Sequence, residues 1–290
     1  MRASDIWLVG DGLACRTAQR WARECPAAVP INTVPASELA ARAADPSAGP
    51  QGPQPWLVAM NSTTIIRRPV LERFEGRAVN IHPGRLPDFG GLYAVQWALR
   101  LGESATAATA HFMTEMLDGG DVIYATPVPI GPDETGLSLL VRCAAAQVEI
   151  LKRLLTDIAE GRQLPRSKQD PSLRRVFKGA DALGDQLPGH LHAIEAERWV
   201  RAGNWLPLSS SPYRPTLVIP KPALTLWLDK VAVADCGTAL DLAPGEVRLR
   251  DGELMVGCAA GSALSVKRAR VAESADLPAE WSRAVSNLVS

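Results

Sequence analysis

Short apolar runs recur through the first half of the chain, each closed by glycine or proline and followed by a stretch of helical spacing. Ile6-Trp7-Leu8-Val9 predicts a buried strand over 5–10, the turn Gly10-Asp11-Gly12 breaks it, and 13–24 has the composition of a helix. Residues 44–55 hold four prolines and two glycines, which sustain neither helix nor ladder and predict a loop. The pattern then predicts a strand over 55–60, a helix over 68–74 ended by Gly76, a strand over 78–82 and a helix over 94–101. Strands over 106–113 and 122–130 and a long helix over 136–161 complete this half. Strands alternating with helices imply α/β layering around a mostly parallel sheet.

The pattern changes after that helix. Residues 162–187 are polar, basic and poor in β-branched side chains, which predicts a connector crossing the surface. A helix over 191–202 precedes short β-rich pieces at 216–219, 224–232, 246–249, 253–258 and 262–270, with turns at Asp251-Gly252 and 257–261. That spacing predicts a small β-barrel. The expected organisation is a catalytic domain over 1–161, a connector over 162–190 and a β-barrel domain over 191–290.

Composition narrows the partners. The chain has 290 residues, 47% hydrophobic and 21% charged, enough apolar material for a sizeable core. Lys+Arg and Asp+Glu balance at 31 each, so no net field gathers phosphate backbones or anionic lipid, and neither nucleic acid nor membrane is the expected partner. No apolar run approaches the ~18 residues of a membrane span. The opening MRASDIWLVGDG enters a strand pattern without a signal-peptide core, so a cytoplasmic location is expected. Five cysteines, odd in number and never in a CxxC pair, indicate neither a disulfide framework nor a zinc site, and no metal is expected.

The candidate chemistry sits at the end of the strand over 78–82. Side chains alternate there, so Asn80 and His82 face one way and Val79 and Ile81 the other. Pro83-Gly84 ends the strand, placing the pair at its C-terminal edge, where open α/β sheets form ligand crevices. A turn-rich loop from Arg85 to Tyr93 follows, and Leu117-Asp118-Gly119-Gly120-Asp121 brings a carboxylate flanked by glycines. Acyl transfer to an amine passes through a tetrahedral intermediate. It needs a donor for that oxyanion, a group to take the amine proton and return it to the leaving nitrogen, and a group to orient that base. Asn80, His82 and Asp118 supply those types, and no GxSxG or Cys–His pattern offers a nucleophile in their place.

The run NIHPGRLPDFGGLYAVQWALRLGE, with LDGGDVI placing its aspartate 36 positions after the histidine, resembles the signature of the folate-dependent formyltransferases. The resemblance covers about 55–135 well and the first 50 residues in outline. RWVRAGNWLPL and APGEVRLRDGELMVGCAAGSALSVKRARV are similar to a C-terminal β-barrel found in some members. It implies a Rossmann-like, mostly parallel sheet with helices on both faces, followed by a small OB-like barrel. It also implies Asn80, His82 and Asp118 as catalytic residues and 10-formyltetrahydrofolate as co-substrate. The folate would meet Thr63, Thr64 and Ile65 and the stretch around Leu117, Gly119 and Asp121. Gly84, Phe89-Gly90 and Ala108-Thr109-Ala110 depart from the family's frequent Ser, Arg-Gly and Gly-Val-Thr, which bears on the acceptor.

Acceptor contacts are expected from Gly84, Arg85, Gly91 and Tyr93 and from Gly10, Asp11 and Gly12, a turn resembling a phosphate cradle. His111 reads as a packed or surface histidine, and Trp199, Trp205 and Trp227 as core or interdomain anchors. The first functional reading is N-formylation of a small amine such as an amino sugar, amino acid or hydroxylamine. Methionyl-tRNA formylation, hydrolysis of the formyl donor and non-catalytic folate binding are the alternatives.

Overall fold

The computed structural model describes residues 5–24, 29–45, 49, 54–62, 64–178, 184–206, 214–234, 241–274 and 277–289. Two compact units emerge: Met1–Val95 with Ala105–Pro129 and Leu140–Gly179, and Gln96–Ser104 with Ile130–Leu139 and Ala180–Ser290.

The first unit is built on six strands, β1 (Ile6–Gly10), β2 (Ile31–Thr33), β3 (Trp56–Met60), β4 (Ala78–His82), β6 (Ala105–Phe112) and β7 (Val122–Pro129), in the order β2-β1-β3-β4-β6-β7. A two-residue strand, β5 (Gly90–Gly91), stands outside this sheet. The first four strands run parallel, and β6 and β7 join antiparallel, so the sheet is mixed but mostly parallel. Alternation in β1 explains the layering. Ile6 and Leu8 face α1 (Gly12–Glu24) and the long helix α5 (Gly136–Ala159), packing with Ala14, Ala18, Leu151 and Leu154. Trp7 and Val9 face the other way, onto α2 (Leu39–Ala44), α3 (Arg68–Glu72) and the Phe74 side chain. Helices on both faces bury both sides of the sheet, which is why β1 and β3 are apolar along their length. The strand and helix placements expected from sequence hold in this unit, and β2 and α2 are additional.

The segment read as a surface connector has structure of its own. Ser167 bridges to Val122, and β8 (Val176–Phe177) pairs in parallel with β5. Its polar composition hid this, because both attachments run through the main chain.

In the second unit, β9 (Thr216–Ile219), β10 (Leu224–Val233), β11 (Val247–Arg250), β12 (Glu253–Gly257) and β13 (Ala263–Ser274) form an antiparallel sheet in the order β11-β12-β13-β10-β9. Of the expected barrel, the described residues form a curled five-stranded sheet, a half-barrel, with no pairing among them that joins β9 to β11. Register shifts along β10 and β13 mark β-bulges, which bend a sheet without closing it. Two helices, α6 (Ala193–Gly203) and α7 (Ala279–Val289), pack on this sheet, with Trp199 of α6 fully buried. The guanidinium groups of Arg214 and Arg270 lie over the Trp227 ring, 4.5 and 5.7 Å from its centroid. Helix α7 was not legible from the β-rich pattern preceding it.

Candidate active site

β4 delivers Asn80 and His82 to the carboxyl edge of the sheet, and β6 delivers His111 directly opposite Asn80 in the antiparallel register. The fourth helix of the first half, α4 (Ala94–Arg100), follows the loop that closes over them. That loop approaches very closely. A Cβ on Gly84 would stand 2.5 Å from the Phe89 carbonyl oxygen and 2.7 Å from His82 Nε2, so only glycine fits there without rearrangement. Gly91 has φ +82°, and a Cβ on it would stand 2.1 Å from the Phe177 carbonyl oxygen.

His82 is buried, and its Nε2 lies 2.7 Å from the Phe89 carbonyl oxygen. A carbonyl only accepts, so Nε2 carries the proton and Nδ1 keeps its lone pair, 3.9 Å from Asp118 Oδ2. His111 is likewise buried. Its Nδ1 donates to the Phe112 carbonyl at 2.9 Å, which turns Nε2 toward Asp118 Oδ1 at 3.4 Å and Asn80 Nδ2 at 3.3 Å. Asn80 Nδ2 also donates to Asp118 Oδ1 at 3.4 Å. Asp118 therefore sits among three polar side chains. Its backbone is left-handed, φ +50°, a conformation that aspartate tolerates better than most residues, and strain of this kind collects at functional sites.

The electrostatics follow from burial and partners. Desolvation pushes the His82 imidazole below its ordinary value, outweighing the Asp118 carboxylate, which acts the other way. For Asp118 desolvation acts upward. The neighbouring His111 and His82 rings and the Gly91 N–H together overcome it and hold the carboxyl well below the usual carboxylate range. At neutral pH the site thus holds an anionic carboxylate beside a neutral base.

A cavity of about 340 Å³ opens against this cluster. Asn80, His82, His111 and Asp118 line it, as do Thr64, Ile65, Gly91 and Leu117. Its walls are mostly apolar, from Ile65, Ile66, Leu92, Met113 and Met116. Thr63 lies outside the described residues. Gly119 and Asp121 are not among the lining residues; Asp121 instead faces Arg166 at 3.5 Å, with its main-chain carbonyl accepting from Phe112 N. Gly84, Arg85 and Tyr93 also lie outside the lining. Arg85 makes a bidentate pair with Asp88 and donates to the Ala105 carbonyl. Tyr93 is exposed with φ +59°.

In the first glycine turn the Asp11 carboxylate faces the helix N-terminus. Asp11 Oδ1 accepts from the N–H groups of Leu13 and Ala14, at 3.0 and 2.9 Å, and so caps α1 with its own carboxylate. Oδ2 accepts from Asn61 Nδ2, whose Oδ1 accepts from Gln147 Nε2, which also donates to the Ile81 carbonyl in β4. Gly10, Asp11 and Gly12 do not line the cavity.

His111 is the residue that sequence reading missed. Its signal was present as the one imidazole in a strand otherwise made of alanine, threonine and phenylalanine, but its neighbour Asn80 is set by a long-range antiparallel register.

Residues 30–155 match the family model described as formyl transferase. Over this stretch the chain is similar to the folate-dependent formyltransferases. A methionyl-tRNA formyltransferase of Geobacter sulfurreducens is 32% identical over 69% of this chain and 59% of its own length. Among solved formyltransferase structures, an N-formyltransferase from Helicobacter canadensis complexed with folinic acid and dTDP-3-aminofucose is similar at TM-score 0.65 and 12% identity, over 91% of this chain and 98% of that one. WlaRD, a sugar 3N-formyl transferase solved in the presence of dTDP and 5-N-formyl-THF, is similar at TM-score 0.67 and 16% identity, over 95% and 100%. The chain spans less than two thirds of the length of the curated relatives it matches. Among the described residues no group of His, Cys, Asp and Glu suited to a metal ion is found, and no helix is long and apolar enough to cross a membrane.

Proposed function

We propose that this chain transfers a formyl group from 10-formyltetrahydrofolate to the amine of a small-molecule acceptor, with Asn80, His82 and Asp118 at the reacting centre. The observation that carries the reading is the convergence of a neutral imidazole, a strongly acidic carboxylate and an amide on one apolar-walled cavity in a formyltransferase fold. Thr64, Ile65, Ile66, Leu92, Met113 and Leu117 suit a flat heterocycle with a polar edge, and they are the residues that would hold the folate. When bound, it supplies an activated formyl carbon.

The chain's own residues then divide the work. His82 Nδ1 takes the proton of the attacking amine and would return it to the donor nitrogen as the bond from that nitrogen to the formyl carbon breaks, since its Nε2 is committed to Phe89. Asp118 stabilises the imidazolium so formed, across the 3.9 Å between Oδ2 and Nδ1. Asn80 Nδ2 holds its present partners at 3.3 and 3.4 Å, the long end of the hydrogen-bond range, so it can exchange one for a developing oxyanion. His111 Nε2 accepts from Asn80 Nδ2 at 3.3 Å and so orients that amide beside Asp118.

A small acceptor is favoured by the zero net charge and by the sugar N-formyltransferases that the chain matches over nearly their whole length. Aminoacyl-tRNA is the second reading, favoured by the methionyl-tRNA formyltransferases among its relatives. The deciding experiment measures tetrahydrofolate release from 10-formyltetrahydrofolate with a panel of amino sugars, amino acids and hydroxylamines, and with initiator methionyl-tRNA, for the native chain, Asn80→Ala and Asp118→Ala. Release that requires a small amine and is lost in both variants supports the reading. Release with tRNA alone replaces the acceptor, and release without acceptor makes the chain a hydrolase.

A further inference from the structure

Residues 166–178 leave α5 and tie together both loops of the site. Ser167 and Val122 exchange two main-chain hydrogen bonds, at 2.8 and 2.9 Å. At the other end Arg175 N donates to the Pro87 carbonyl at 3.1 Å, Gly90 N to the Arg175 carbonyl at 3.1 Å and Leu92 N to the Phe177 carbonyl at 2.9 Å. Between these anchorages the segment grips the Asp118 turn. Gln169 Nε2 donates to the carbonyl oxygens of Asp118 and Gly120, at 2.8 and 2.7 Å, and Arg174 Nη2 donates to that of Leu117 at 2.8 Å. Gln169 Oε1 is buried and accepts no hydrogen bond among the described residues. The side chain is thus used as a double donor and nothing else.

We propose that Gln169 is a positioning residue of this site, whose amide locks the left-handed turn at Asp118 so that the carboxylate stays between His82 and His111. Its catalytic consequence rests on the formyl-transfer reading; its structural consequence does not. Gln169 acts through Asp118 and does not itself line the cavity. Because its two partners are carbonyl oxygens, the position requires hydrogen-bond donors rather than a particular shape. Glutamate has nearly the shape of glutamine but, when ionised, sets acceptor oxygens against two carbonyls. Lysine has a different shape and only donors. The chemistry therefore predicts that the near-isostere fails and the dissimilar side chain succeeds.

The test is the titration of His82, followed by NMR in the native chain, Gln169→Glu, Gln169→Lys and Gln169→Ala. The groups facing this ring are the Asp118 carboxylate, His111 and the Phe89 carbonyl. Asp118 favours the imidazolium, so a carboxylate that swings away lowers the midpoint of His82. The expected result is a downward shift in Gln169→Glu and Gln169→Ala and a native midpoint in Gln169→Lys. In the same variants kcat falls on the order of tenfold to a hundredfold where the midpoint moves, with the KM for the formyl donor little changed. A native midpoint in both Gln169→Glu and Gln169→Ala overturns the proposal, as does a folded Gln169→Lys that shifts as far as they do. Should Gln169→Glu not fold, Gln169→Ala, which adds no charge, decides alone. If the native chain transfers no formyl group, the functional reading fails while the titration still decides the role of Gln169.

Discussion

The backbone N–H of Gly91 donates to Asp118 Oδ2 at 2.7 Å, joining two loops that are 27 residues apart in the chain. The glycine is required twice over, by its φ of +82° and by the Phe177 carbonyl oxygen 2.1 Å from where a Cβ would stand. Gly91→Ala is expected to push β5 from β8, costing about 1–3 kcal/mol in urea denaturation. Because the same shift withdraws a donor from Asp118, the rate of formyl transfer should fall at least about tenfold. A variant with native stability and native rate would contradict this geometry.

Asp118→Asn separates shape from charge. The amide fills the same space but leaves His82 without an anion facing Nδ1. On the proposed mechanism kcat should drop by about 10²–10⁴, while the affinity for a folate analogue, read by fluorescence titration, stays close to native. Equal losses in both would make Asp118 a binding residue.

The pH dependence follows from two shifts of the same sign. Burial holds His82 below the ordinary imidazole value, so its base form persists through neutrality, and the acid limb of kcat should lie below about pH 6.5. Asp118 is also depressed in the fold. A group more acidic when folded contributes stability above its unfolded value, about pH 4 for a carboxyl, and loses it as pH falls through the folded value. Unfolding free energy should therefore decline with acidification, first through His82 and then through Asp118. In Asp118→Asn the second decline should shrink. Urea titrations from about pH 7 to pH 3 measure both.

Much of this was written in local pattern. The Asn80–His82 pair was legible because strand alternation forces both onto one face, and the strand ends at Pro83-Gly84, where such sheets open. Asp118 was legible from its glycine neighbours. His111 was not, since nothing local distinguishes a packed histidine from one brought opposite Asn80 by an antiparallel register. Gln169 and β8 were hidden because they bind main-chain atoms, which leave no complementary side chain in the sequence. Barrel closure was beyond reach for a related reason: short strands separated by turns specify hairpins, whereas meeting of the first and last strand depends on accumulated twist and bulges.

Asp11 carries a structural role with its own test. Since it caps α1 and reaches β4 through Asn61 and Gln147, its removal should be felt as lost stability. Asp11→Ala is expected to cost about 1 kcal/mol, and Asp11→Asn, which can still cap, only a fraction of that. Thermal unfolding measures both, and added sulfate should stabilise neither the native chain nor Asp11→Asn through this turn.

The grip on the Asp118 turn has a consequence for descent with change. Gln169 and Arg174 hold carbonyl oxygens, a feature shared by every amino acid, and never the side chains of the residues they secure. Met116, exposed at the cavity mouth, is therefore free to be exchanged without loosening the turn beside it. A lineage built this way can drift in what it accepts while its reacting centre stays in register.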